Sequence, residues 1–224
     1  MMNEIHSCMG GNFLKQKLMA IVCVLCATMM FFAGVCAAKG KKADDGAQAQ
    51  QATLAHIQKA NALCSNFTCR YDEEANVYTF VPKEEVLARL SGKAATMIPS
   101  VAYAGKDNTA LFSVLFSYGG VEYADLTDVT LVLNGKEMDF TVPEGASAKE
   151  DYTAYVTEEY AAQFDGDILD EFYAFATSET TADAKDVLKL TGKTASAERR
   201  LTPYDKEVLK EAIDIYRALS DTKK

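Results

Sequence analysis

The sequence predicts an α+β fold, an antiparallel sheet of about six or seven strands packed by a C-terminal helix. Three observations predict it. Alternating apolar runs broken by tight turns occupy residues 71–142, the pattern of half-buried strands. Asn134-Gly135 lies between two such runs and specifies a two-residue hairpin turn, because both residues tolerate positive φ. From Thr202-Pro203 onward, Val208, Leu209, Ile213, Tyr216 and Leu219 recur at helical spacing, giving an amphipathic helix with a capped start.

Ahead of the sheet, Leu18–Val35 is an uncharged apolar run of about 18 residues, preceded by Lys15 and Lys17 and followed by Ala37 and Ala38. Positive, apolar and small residues in that order form an export signal. The expected location is therefore periplasmic, envelope-anchored or secreted. Three fates are open to the segment. Cleavage at Val35-Cys36-Ala37 or Cys36-Ala37-Ala38 starts the mature chain near Ala38 or Lys39. Lipidation of Cys36 makes a lipoprotein, although Val35 stands where that motif carries Gly, Ala or Ser. Retention keeps the run as an N-terminal anchor helix, its length bordering on a bilayer span. Residues 1–14 read as an upstream extension, with Met9 and Met19 as alternative starts. The expected organisation is 1–37 signal or anchor, 38–50 flexible tether and 51–224 a single α+β domain. Lys39–Gln50 lacks large apolar residues, which makes it a tether.

The elements follow in order. Gln51–Leu63 has apolar residues at Leu54, Ile57, Ala60, Ala62 and Leu63, a short helix. Tyr71–Val81 combines a turn with a strand alternating Val77, Thr79 and Val81 against Tyr78 and Phe80. Pro82 stops it, and Lys83–Leu90 is a second helix, ended by Ser91-Gly92. Met97–Ala104 is a strand, Gly105–Asn108 a turn. Leu111–Tyr118 sets Phe112, Val114, Phe116 and Tyr118 against Ser113 and Ser117, with Gly119-Gly120 as the next turn. Val121–Leu133 points Val129, Leu131 and Leu133 inward, with a bulge near Ala124-Asp125 where the alternation slips. After the Asn134-Gly135 hairpin, Met138, Phe140 and Val142 share a face, stopped by Pro143. Tyr152–Tyr160 reads as a strand, and Asp165–Ala176 as a helix burying Ile168, Leu169, Phe172 and Phe175. Val187–Leu190 is a strand closed by Thr191-Gly192, and the Thr202 helix crosses the buried face of the sheet.

Charge and cysteine usage restrict the function classes. Residues beyond 37 carry 21 basic and 31 acidic side chains. That field repels phosphate backbones and anionic headgroups. No nucleic-acid partner is expected, and membrane contact only through the N-terminal segment or a lipid. Only Cys64 and Cys69 follow the export segment. In an oxidising compartment they read as a short-loop disulfide, stabilising by about 2 kcal/mol at most on the chain-entropy model. The Cys-x4-Cys spacing is not the Cys-x-x-Cys that tunes a redox thiolate.

Catalytic and metal motifs are sparse, and no catalytic residue, cofactor or metal site is expected. His56 is the one histidine after the leader. No Gly-x-Ser-x-Gly elbow accompanies it, so it reads as a solvated helix residue. Zinc and copper sites lack enough His and Cys ligands. Asp165-Gly-Asp167 has the wrong glycine position for an EF-hand and reads as a helix N-cap. The pairs Glu73-Glu74, Glu84-Glu85 and Glu158-Glu159 would suit a glycosidase, but acids adjacent in sequence usually form a solvated face. Gly10-Gly11 and Gly119-Gly120 lack phosphate-loop context, and Arg199-Arg200 reads as a surface pair flanking a helix. Tyr103, Tyr118, Tyr123, Tyr152, Tyr155 and Tyr160 are candidates for the sheet edge or outer face, where tyrosine serves interfaces.

The tail Val187-Leu-Lys-Leu-Thr-Gly-Lys…Arg200-Leu-Thr-Pro-Tyr…Leu209…Tyr216-Arg-Ala-Leu219, with the preceding Asn-Gly hairpin, resembles a pattern in uncharacterised exported bacterial envelope proteins. The resemblance spans about residues 70–219 and implies a bacterial origin, with no activity attached. The function expected is an exported, envelope-associated, non-enzymatic module for protein interaction or structure, with an envelope protein as partner. Two alternatives stand beside it. A carrier of a small apolar ligand needs a cavity near Phe112, Phe116 and Phe140, and a carboxylate hydrolase needs a cleft with two converging, perturbed acids.

Overall fold

A computed structural model of the chain describes residues 53–91, 93–105, 107–179 and 185–220. Cys36, Ala37, Ala38, the signal or anchor helix and the 38–50 tether all lie outside the described residues. Among these, the order is helix α1 (53–61), β1 (Phe67–Asp72), β2 (Val77–Pro82), α2 (Glu84–Leu90), β3 (Ala95–Ala104), β4 (Thr109–Gly120), β5 (Leu126–Leu133) and β6 (Lys136–Thr141). β7 (Ala148–Asp151), β8 (Val156–Phe164), α3 (Gly166–Thr177), β9 (Val187–Gly192), β10 (Ser196–Arg200) and α4 (Pro203–Ser220) complete it.

The class is α+β, but the strands form two sheets where one was expected. A six-stranded antiparallel sheet has the order β1-β2-β3-β4-β8-β7, and a four-stranded sheet the order β10-β9-β5-β6. Aromatic contacts join them. Phe164 on β8 meets Phe140 on β6 at 5.1 Å and Phe172 on α3 at 5.1 Å, ring edge to ring face. Phe112 meets Phe172 at 6.4 Å and Tyr216 on α4 at 6.1 Å. Such pairs add about 0.5–1.5 kcal/mol beyond area burial. α4 therefore does cross the buried face, as its stripe predicts. It buries Val208, Leu209, Ile213 and Leu219, and also Ala212, Ile215 and Ala218.

Local chemistry accounts for the boundaries. Asn134 (φ 52°) and Gly135 (φ 78°) form the expected hairpin, pairing Leu133 with Lys136. At α4, the Thr202 hydroxyl accepts the Asp205 N–H at 3.3 Å. The Asp205 carboxylate accepts the Thr202 N–H at 2.7 Å, a reciprocal cap. Asp165 occupies the N-cap of α3 without a side-chain cap bond.

Several boundaries differ from expectation. Gly119 and Gly120 end β4, paired with Thr157 and Val156, and are not a turn. The strand expected from Val121 starts at Leu126, with its irregularity between Leu126 and Asp128. Asp125 has a left-handed backbone (φ 53°) that breaks the strand there. The strand expected from Tyr152 begins at Val156, because Tyr152 N–H closes on Tyr155 C=O at 2.8 Å as a turn. Ser113 and Ser117, the polar face of the alternating run, are buried. β4 is covered on both sides.

Candidate interaction site

The β7–β8 hairpin carries the candidate site. Tyr152 and Tyr155 flank its turn, and their rings stack at 4.7 Å and 12°. The register of Gly120 with Val156 brings Val121, the next residue of the other chain direction, beside this turn. Val121 is 88% exposed and Tyr155 38%, an apolar tip at the end of the six-stranded sheet. Tyr123 approaches from the β4–β5 connection, where burial and then the nearby Asp151 carboxylate raise its phenol above the ordinary range. Lys149 lies 5.1 Å from the Tyr123 ring and forms an ion pair with Asp125. That bond holds the Asp125 carboxyl below its ordinary range and raises the Lys149 ammonium.

Behind the tip is a cleft of about 380 Å³ between the two sheets, lined by Asp125, Thr127, Glu144, Lys149, Glu158 and Lys193 among others. Its floor is Glu158, with no exposed surface. The carboxylate accepts the Asp125 N–H at 2.8 Å, the Leu126 N–H at 2.9 Å and the Ser147 hydroxyl at 2.6 Å. Three donors satisfy a buried acid and tie both loops to β8. Glu159 faces the other side of the sheet, where it accepts the Ser117 hydroxyl at 3.1 Å. The Glu158-Glu159 pair is thus a pair of buried structural acids, each on its own face, not a solvated one. A hydrolytic acid needs a raised carboxyl pKa. Asp125 is displaced the other way.

The remaining candidates are dispersed. Tyr103 and Tyr118 are buried, a correction to their expected place at the edge. Tyr103 donates to Asn108 Oδ1 at 2.8 Å. Tyr123, Tyr152 and Tyr155 do gather at the edge. Arg199 is no surface residue. Its guanidinium grips Asp205 with two bonds of 2.9 and 2.7 Å and its Nε donates to Ala95 C=O at 2.5 Å. Burial raises the Asp205 carboxyl, but Arg199 and Thr202 outweigh it and the net shift is downward. His56 is half-buried, and its Nδ1 is buried with no hydrogen-bond partner. Asp186 and Lys206, which nothing in the pattern singled out, form a second buried ion pair at 3.7 Å; Lys206 also donates to Ser178 at 2.8 Å and lies over the Phe175 ring.

Cys64, just after α1, and Cys69, on β1, are both half-buried. Burial pushes each thiol up to about 11, with Glu211 and Cys69 adding to the effect at Cys64. The loop between them is pinned by Glu211 on α4, which accepts the Ser65 N–H at 2.7 Å and the Asn66 N–H at 2.8 Å. Lys83 Nζ donates to Ser65 C=O at 2.5 Å. No group of three or more His, Cys, Asp or Glu that could hold a metal occurs among the described residues. No family model, no curated protein and no solved structure matches this chain.

Proposed function

We propose that this is an exported, envelope-associated, non-enzymatic module that recognises a protein partner through the Val121–Tyr152–Tyr155 tip. The observation that carries the reading is the contrast between that tip and the cleft behind it. The tip holds exposed aromatic and aliphatic surface on a rigid hairpin, the anchor chemistry of protein interfaces. The carboxylate at the floor of the cleft is saturated by structural donors. Where the carrier reading needs a cavity, Phe112, Phe140, Phe164 and Phe172 pack ring to ring. The Leu18–Val35 run delivers the domain, by cleavage before Ala38, by lipid on Cys36 or as a retained anchor. A Cys64–Cys69 disulfide adds to the clamps that Glu211 and Lys83 place on that loop.

Cell fractionation and intact mass of the product from its native host test the reading. The expected product is in the envelope or medium, with a mass two hydrogens below the reduced chain. A cytoplasmic product with two free thiols overturns it.

A further inference from the structure

The two sheets end in four edge strands, β1 and β7 on the six-stranded sheet, β10 and β6 on the four-stranded one. In an antiparallel pair, alternate residues bond the neighbouring strand, and those between turn N–H and C=O to the other side. One backbone bond fixes that phase for each edge. Val142 N–H bonds Thr127 C=O, Tyr152 N–H bonds Tyr155 C=O, and Gly192 N–H bonds Ala195 C=O. Carried along the registers, these bonds turn charged residues toward the free side of three edges. They are Glu137 and Asp139 on β6, Lys149 and Asp151 on β7, and Glu198 and Arg200 on β10. Charge on an open edge deters another strand.

β1 is the exception. Lys83 N–H bonds Asn66 C=O at 2.8 Å, so Thr68, Arg70 and Asp72 bond β2 while Phe67, Cys69 and Tyr71 face the free side. Pro82, which has no N–H to give, stands opposite Phe67, as a non-bonded pair allows. None of the three edge residues is charged, and no second strand among the described residues pairs with them. Apolar surface gathers along the same edge: Leu63, just before β1, and Tyr71, near its far end, are both exposed.

The strand that fits this edge is a second β1. Laid antiparallel about a two-fold axis at Cys69, Phe67 meets the partner's Tyr71, and Cys69 meets the partner's Cys69. Every free N–H and C=O of the three residues then finds a mate. Arg70 stands opposite the partner's Thr68 and Asp72 opposite the partner's Asn66, so no like charges face each other. A register centred on Tyr71 instead sets Cys69 against the turn residue Glu73 and gives Phe67 no strand to bond.

We infer that two copies of this chain associate through the free edge of β1, in the Cys69 register, joining their six-stranded sheets into one. β7 is the opposite edge of that sheet, so the pair carries one Val121–Tyr155 tip at each outer end. The bivalency this gives rests on the recognition reading above; the pairing does not. The contact is one short strand and its flanks, so the dimer dissociates on dilution.

The product purified from its native host is followed by sedimentation over a concentration series and by residue-resolved hydrogen exchange. The expected result is a monomer–dimer equilibrium in which the Phe67, Cys69 and Tyr71 amides gain protection as the dimer forms. The Thr68 and Arg70 amides, bonded to β2, stay protected throughout. Thr68→Glu sets an acid opposite each partner's Arg70 and should tighten association roughly 2- to 30-fold. Thr68→Lys should weaken it by a similar factor, and adding Arg70→Glu to Thr68→Lys should restore it. A monomer at every concentration overturns the pairing. So does a dimer whose edge amides stay unprotected, or one that the two Thr68 substitutions shift in the same direction. None of these readouts involves the tip, so recognition through it stands or falls separately.

Discussion

The two faces of the six-stranded sheet are built on one backbone and do opposite things. The inward face is filled by large rings that interlock with α3, α4 and the second sheet. It gains area, dispersion and shape at once. The outward face alternates Ile98 and Leu115 with serine and threonine, and two of its hydroxyls are buried without partners. The lesson is that burial alone does not mark a core. The inward face is buried and complementary, while the outward face is buried and leaves the Ser113 and Thr157 hydroxyls unmet.

Substitution separates the two sides. Phe116→Ala removes a fully buried ring packed against Phe164 and should cost about 3–5 kcal/mol, read by urea or thermal unfolding. A comparable loss is expected at the α4 start. Asp205→Asn strips the buried Arg199 of its partner, for about 3–5 kcal/mol. This effect has a pH signature. The Asp205 carboxyl is depressed in the folded state, so its contribution is present above the unfolded value of about 3.9 and fades as pH falls through the folded value. The gap between wild type and Asp205→Asn should stay constant from pH 7 to 5 and narrow below about pH 4.

Gly192→Ala is a smaller but sharper probe of how the two sheets meet. A Cβ there would lie 2.0 Å from the Ala124 carbonyl oxygen, a backbone atom that cannot swing aside. A loss of about 1–3 kcal/mol is expected, with weakened hydrogen-exchange protection of the Asp125 and Leu126 amides that Glu158 holds. On the outward face the sign changes. Thr157→Val and Ser113→Ala discard a hydroxyl that has no partner; stability should stay within about 1 kcal/mol of wild type, on the favourable side. A loss matching Phe116→Ala would erase the distinction between the faces.

The sequence made local features legible and hid those fixed at long range. The Asn134-Gly135 turn and the Thr202–Asp205 cap need only neighbouring residues, and both stand where they were expected. The division into two sheets depends on pairings such as β5 with β9, across more than fifty residues, which alternation cannot encode. β7 and β10 are short and polar, held by backbone bonds, so no apolar pattern announced them. The Tyr123, Tyr152 and Tyr155 grouping was partly legible, because tyrosine near turns reaches edges. Tyr103 and Tyr118 went the other way, as strand residues on the ring-packed face. Arg199 was misread because its partner Asp205 lies beyond a turn, and only folding of that turn makes two bonds between them.

The most direct test of the recognition claim places a photo-crosslinking amino acid at Tyr155 in the native host, with Glu198 as the control position. Irradiation of intact cells should yield a covalent adduct between this chain and another envelope protein from position 155 alone, lost when Val121 is also changed to Ser. Equal adducts from both positions, or a folded envelope product that forms none at 155, would contradict the account.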